Sequence, residues 1–81
     1  MKQQNTRDMF DYDLFKEKIK QRRYVVMNTQ QRTIGLREFA KQIGISTSTL
    51  SRIERGNKPD LDTVILICKW LKMDINKFIK E

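Results

Sequence analysis

Apolar residues recur at helical spacing through most of the chain, and the breaks in that rhythm mark out five segments. The clearest stretch is the middle one. Leu36, Phe39, Ala40 and Ile43 share one helical face, and Gly44 follows where a helix end favours a residue tolerant of the left-handed conformation. Ser46 is a good N-cap for the next helix, in which Leu50 and Ile53 point inward three positions apart. The pattern predicts two short helices, near Leu36–Ile43 and Thr47–Arg55, with Gly35 capping the first and Gly56 ending the second. Ala40 supplies the small side chain that two steeply crossed helices need where they touch, and Ile45 can bury in the elbow. Thr47, Ser48, Ser51, Arg52 and Arg55 are left on the outward faces.

The flanks read as scaffold. A first helix starts at Asp11 or Asp13, with Phe15, Ile19 and Val26 as its inward stripe and Leu14 beside it. Acidic groups at its start and Lys20, Arg22 and Arg23 toward its end suit the helix dipole. Tyr24 to Met27 reads as a last helical turn or a short β-branched strand; partners for a strand are scarce, so helix to about Met27 is expected. Asn28 to Thr33 is a polar connector. Asp60 caps a fourth helix, about Leu61 to Met73, whose apolar residues nearly encircle it and so predict a central position. Leu66 and Trp70 share a face; if no other helix covers them, they form a dimer or partner patch. Cys68 reads as core packing. Asp74 caps a final helix, about Ile75 to Lys80, whose Ile75, Phe78 and Ile79 close the core.

Charge changes the picture by where it lies. The net charge is +7, yet residues 1–19 and 59–81 each balance four basic against four acidic groups. Residues 20–58 carry nine basic and two acidic groups, so the whole excess surrounds the central helix pair. A basic face beside a helix pair is the footprint of nucleic-acid binding. Chemistry of other kinds has little to work with. The chain has no histidine and one cysteine, which removes histidine acid–base catalysis, an internal disulfide and the usual zinc ligand sets. Neither a glycine-rich phosphate loop nor a nucleophile–base pair is evident, so the reading is not an enzyme, with no cofactor and no metal. No apolar run is long enough to span a membrane, and the polar start lacks a signal-peptide core, so a cytoplasmic location is expected.

Ala40, Gly44, Leu50 and Ile53 are spaced as in the helix-turn-helix of lambda-repressor-like (Xre/Cro-type) DNA-binding proteins. The resemblance continues through Ser51-Arg52-Ile53-Glu54-Arg55-Gly56 and Pro59-Asp60-Leu61-Asp62-Thr63, and spans roughly Phe10 to Ile79. It implies an all-α, compact five-helix domain over 11–81, with the helix-turn-helix at helices 2 and 3. The polar stretch before it reads as a flexible arm over 1–10, a floppy end in the first place and otherwise a basic arm reaching DNA through Lys2 and Arg7. Helix 3 would enter the major groove, with Thr47, Ser48, Ser51 and Arg52 as base readers. Arg52 is the strongest of these, since its fork can bond both acceptors of a guanine; a phosphate contact is its other reading. Arg37, Lys41, Arg55, Asn57 and Lys58 form the phosphate set. The family also suggests an ion pair between Glu54 and an arginine of helix 1, with Arg23 or Arg22 as the match, and dimerisation through the last helix, where Phe78 and Ile79 would join Leu66 and Trp70. Two departures stand out. Leu36 occupies a position where many members carry a DNA-contacting glutamine, and the 24–34 region is several residues longer than the pattern, which leaves Arg32 as a further possible backbone contact.

These features imply a transcriptional regulator, read as a repressor that binds double-stranded DNA as a homodimer. The alternative is an antitoxin or mobile-element control protein that binds a partner protein as well as DNA.

Overall fold

The computed structural model describes residues 9–80. The elements it describes in full are, in order, α1 (Tyr12–Gln30), α2 (Leu36–Ile43), α3 (Thr47–Glu54), α4 (Leu61–Leu71) and the 3₁₀ turn Ile75–Phe78. The expected arm lies outside the described residues except for Met9 and Phe10, and with it Lys2 and Arg7. None of the described helices is long and apolar enough to cross a membrane.

α1 begins at Asp11, whose carboxylate accepts from the Leu14 N–H at 3.0 Å. It does not stop near Met27. The helix continues through Asn28, Thr29 and Gln30, and closes only when Gln31 turns left-handed (φ 52°). There the Arg32 N–H reaches back to the Met27 carbonyl at 3.2 Å. Most of residues 24–34 is therefore helix, and the connector is Gln31 to Gly35. The extension also corrects the dipole argument: Lys20, Arg22 and Arg23 are interior to the helix, and its last turn has no basic residue. Val26 and Met27 half-bury against the core, which holds this β-branched stretch helical.

The core is one cluster. Phe15 and Ile19 from α1, Phe39, Ala40 and Ile43 from α2, Leu50 and Ile53 from α3, and Val64, Ile67, Cys68 and Leu71 from α4 are all buried. Ile34, in the connector, joins them at 4% exposure. Burial, and secondarily the charge of Asp74, pushes the Cys68 thiol up from its ordinary pKa, so the side chain is a protonated packing group at neutral pH. α4 is less enclosed than its composition suggests. Only one stripe of it is buried, while Leu61, Ile65 and Leu66 are exposed.

The fifth helix is not formed. Asp74 accepts from the Asn76 N–H, which closes a tight 3₁₀ turn over Ile75–Phe78, and the backbone is extended again at Ile79. Ile79 then makes an antiparallel bridge with Phe10. The Asp11 N–H donates to the Phe78 carbonyl and the Lys80 N–H to the Met9 carbonyl, each at 2.6 Å. Backbone groups that a helix would have satisfied internally are satisfied instead by Met9–Asp11. This geometry also corrects the place of Phe78. It is fully buried and packs edge-on against Phe15, with Phe10 at 5.8 Å between ring centres. It is therefore absent from any surface patch, whereas Ile79 is exposed.

The cap of α4 carries a pH dependence. The Thr63 side chain and, after it, the Thr63 backbone N–H hold the Asp60 carboxyl below the usual aspartate range. A depressed folded-state pKa contributes stability that is present above the unfolded value and is lost as pH falls through the folded one. Melting temperature measured downward from about pH 5 should fall, and Asp60→Asn should flatten the decline below about pH 4.

Candidate nucleic-acid interface

α2 and α3 form a crossed pair held by short-range features. Gly44 adopts the left-handed conformation (φ 98°), and its N–H and that of Ile45 both return to the Ala40 carbonyl, at 2.8 and 3.0 Å. Ala40 is 1% exposed at the base of this elbow. Ser46 caps α3: its hydroxyl oxygen accepts from the Thr49 N–H at 3.0 Å, and the hydroxyl also lies 2.8 Å from Thr49 Oγ1. Ser46 is thus occupied as a cap. With Leu50 and Ile53 buried, α3 turns Thr47, Ser48 and Arg52 to solvent, with Ser51 half-buried.

Arg52 lines an open cleft of about 270 Å³ between the end of α3 and the start of α4, together with Thr49, Asn57, Lys58, Asp60 and Thr63. The structure therefore places Arg52 beside two members of the phosphate set. The Asn57 N–H is fixed to the Arg52 carbonyl at 2.9 Å, and Lys58 Nζ sits 5.4 Å over the Tyr12 ring, which ties this loop to the start of α1. Arg55 is exposed in the same turn. Arg37 and Lys41 gather elsewhere, in a surface depression on α2 shared with Gly35 and Glu38. The basic residues thus form two groups, one along α2 and one at the turn from α3 to α4, with the outward face of α3 as the third part.

Glu54, one of two acidic groups amid this charge, receives Arg23 Nη2 at 2.9 Å on its Oε1. Both side chains are about one-fifth exposed, at 19% and 20%. Arg23 Nε and Glu54 Oε2 are buried with no hydrogen-bond partner among the described residues. The contact joins α1 to the end of α3. Arg22, the other arginine considered for this role, lies with its guanidinium 6.0 Å over the Trp70 ring. Trp70 is half-buried: its ring meets that of Phe39 in a T-shaped contact, and its Nε1 donates to Gln42 Oε1 at 3.3 Å. Of the four residues named for a partner surface, Leu66 and Ile79 are exposed, Trp70 is partly covered by α1 and α2, and Phe78 is interior.

One pair escaped the sequence reading. Arg32 makes a two-pronged ion pair with Glu38, Nη1 to Oε1 at 3.3 Å and Nη2 to Oε2 at 2.6 Å. The Arg32 guanidinium holds the Glu38 carboxyl below its usual range, and Glu38 in turn raises the arginine. The residues are six apart across a turn, outside the three- and four-residue spacings that betray helical pairs, so periodicity gives no signal for it.

Comparison with known proteins gives one finding. A family model described as Helix-turn-helix matches residues 28–78, from the last turn of α1 to the buried Phe78. No curated protein matches the chain, and no solved structure does.

Proposed function

The chain belongs to the helix-turn-helix family of lambda-repressor-like DNA-binding proteins, and from that membership we propose that it is a sequence-specific regulator of transcription that reads the major groove with α3. The observation that carries this reading is the outward face of α3, bearing Thr47, Ser48 and Arg52, with exposed basic residues on the elements before and after it in the chain. A B-DNA major groove admits one helix and displays base-edge patterns to it, while flanking cations bond phosphates and fix the register. Thr47, Ser48, Ser51 and Arg52 are the base readers in this scheme. Arg37, Lys41, Arg55, Asn57 and Lys58 hold the backbone.

The regulator acts as a repressor, and as a homodimer on DNA. A single module of this kind buries only ~600–1,000 Å² on DNA, so two copies on half-sites about one helical turn apart supply useful affinity and specificity. The exposed Leu61, Ile65 and Leu66 of α4 favour a second reading, in which a partner protein is bound as well as DNA, as in an antitoxin or a mobile-element control protein. Co-purification with a stoichiometric partner would select it.

Selection of bound sites from random duplex DNA at stated salt tests the main reading. An enriched palindromic motif is expected, and no enrichment after several rounds would sink it. On the selected site, Arg52→Ala should cost ~1–3 kcal/mol of discrimination against a single wrong base pair if the arginine reads guanine. Its position in the cleft with Asn57 and Lys58 makes the contrast informative. A uniform loss on all sequences, with a salt slope lower by about one, would assign Arg52 to phosphate instead.

A further inference from the structure

Glu38 is in an unexpected place. It lies in the first turn of α2, within the depression that also holds Arg37 and Lys41, the two α2 residues of the phosphate set. A bare carboxylate there would repel the DNA backbone, because like charges interact over about 10 Å at moderate salt. It has a reason to be in that turn. Gly35 caps α2 without any side-chain hydrogen bond, and an acidic group near a helix start compensates its unsatisfied N–H groups and positive dipole end. The carboxylate is not bare. Arg32 grips both of its oxygens from the connector, whose backbone is anchored by the bond from the Arg32 N–H to the Met27 carbonyl. Both side chains stay about half exposed, at 50% and 43%, so the pair is part of the outer surface and not a buried brace.

We propose that Arg32 is a charge-cancelling residue of the DNA-binding surface: it neutralises Glu38 amid the phosphate contacts, so that Glu38 can stabilise the start of α2 without repelling the backbone. This gives the turn after α1 a function, since the left-handed Gln31 brings Arg32 to the start of α2. The inference rests on the DNA-binding reading above and adds to it a residue outside the helix-turn-helix.

The test is a double-mutant cycle on the duplex selected by the wild-type protein, at low salt: wild type, Arg32→Ala, Glu38→Gln and the double variant. Thermal melting first establishes that each is folded. Arg32→Ala should weaken binding about fivefold, the order of one unit-charge interaction between neighbouring groups in a water-like dielectric. Glu38→Gln should tighten it by up to about the same factor, and the double variant should return to near the wild-type affinity. Four equal affinities would overturn the inference by placing the pair beyond the reach of DNA. A double variant as weak as Arg32→Ala, with a salt slope lower by about one, would overturn it in favour of a direct phosphate contact by Arg32. Failure of the wild-type protein itself to bind any duplex would instead remove the functional reading on which the inference rests.

Discussion

Replacing Phe78 with alanine should destabilise the domain by about 3–5 kcal/mol, the largest effect expected of any single change considered for this protein. The ring is 0% exposed and fills the space between Phe15 and Phe10, at 5.1 and 5.8 Å between centres. Truncation removes the buried apolar area and leaves a cavity that the 3₁₀ turn cannot collapse into. The turn is pinned by the Asp74 cap on one side and by the bond from the Asp11 N–H to the Phe78 carbonyl on the other. For a domain of this size the loss corresponds to a fall in melting temperature of about 15–30 °C, enough to leave much of the protein unfolded at working temperatures. Phe78→Leu keeps most of the volume and should cost about 1.5 kcal/mol or less. Equal, small effects of both changes in a denaturant titration would contradict the packing and return Phe78 to the surface.

The Arg23–Glu54 pair should show a strong non-additivity. Glu54→Ala is expected to cost about 2–3 kcal/mol, somewhat less than the ~3–5 kcal/mol seen when one member of a fully buried pair is removed, because about a fifth of each side chain still meets water. The cost comes from the group left behind. Arg23 already has its Nε buried without a partner, and after the change its guanidinium would keep only the Phe39 ring, 5.9 Å away, and its narrow opening to water for compensation. Arg23→Met should be costly for the mirror reason, since it strands a carboxylate that already has one unpaired oxygen. Combining Arg23→Met with Glu54→Leu removes both charges and fills similar volume, so the double variant should recover most of the loss. Chemical denaturation of the three variants checks this. Strict additivity would mean that the pair is an ornament of the surface.

These two sites differ in how far the sequence betrays them. The α2–α3 pair is legible because its determinants are local: an apolar stripe, a glycine in the left-handed elbow and a serine cap all lie within a few residues of what they control. The contact of Glu54 with Arg23 is long-range, and its clue is an acidic residue isolated within a basic region. The end of the chain reads less well. Asp74, Ile75, Phe78 and Ile79 have the spacing of a helix, but the winning interaction is with Phe10, whose place beside them no local pattern encodes. Ile34 shows the same limit in miniature. It lies in the connector, outside any helical stripe, and is nonetheless core at 4% exposure. For Leu66 and Trp70, spacing establishes a shared helical face, while the degree of cover depends on where Arg22 and Gln42 come to lie.

The bridge between Phe10 and Ile79 has a consequence for how the polypeptide can be rebuilt. It draws the two ends of the described residues together, so their backbone path is almost a closed ring. A short glycine–serine splice from Lys80 back to Met9 would complete that ring with little loop to order. New ends could then be opened in the exposed stretch Gln31–Thr33, which leaves α2, α3 and the elbow uncut but gives up the anchored backbone behind the Arg32–Glu38 pair. The helix pair would lie near the start of such a permuted chain, its neighbours in space unchanged and its neighbours in sequence rearranged.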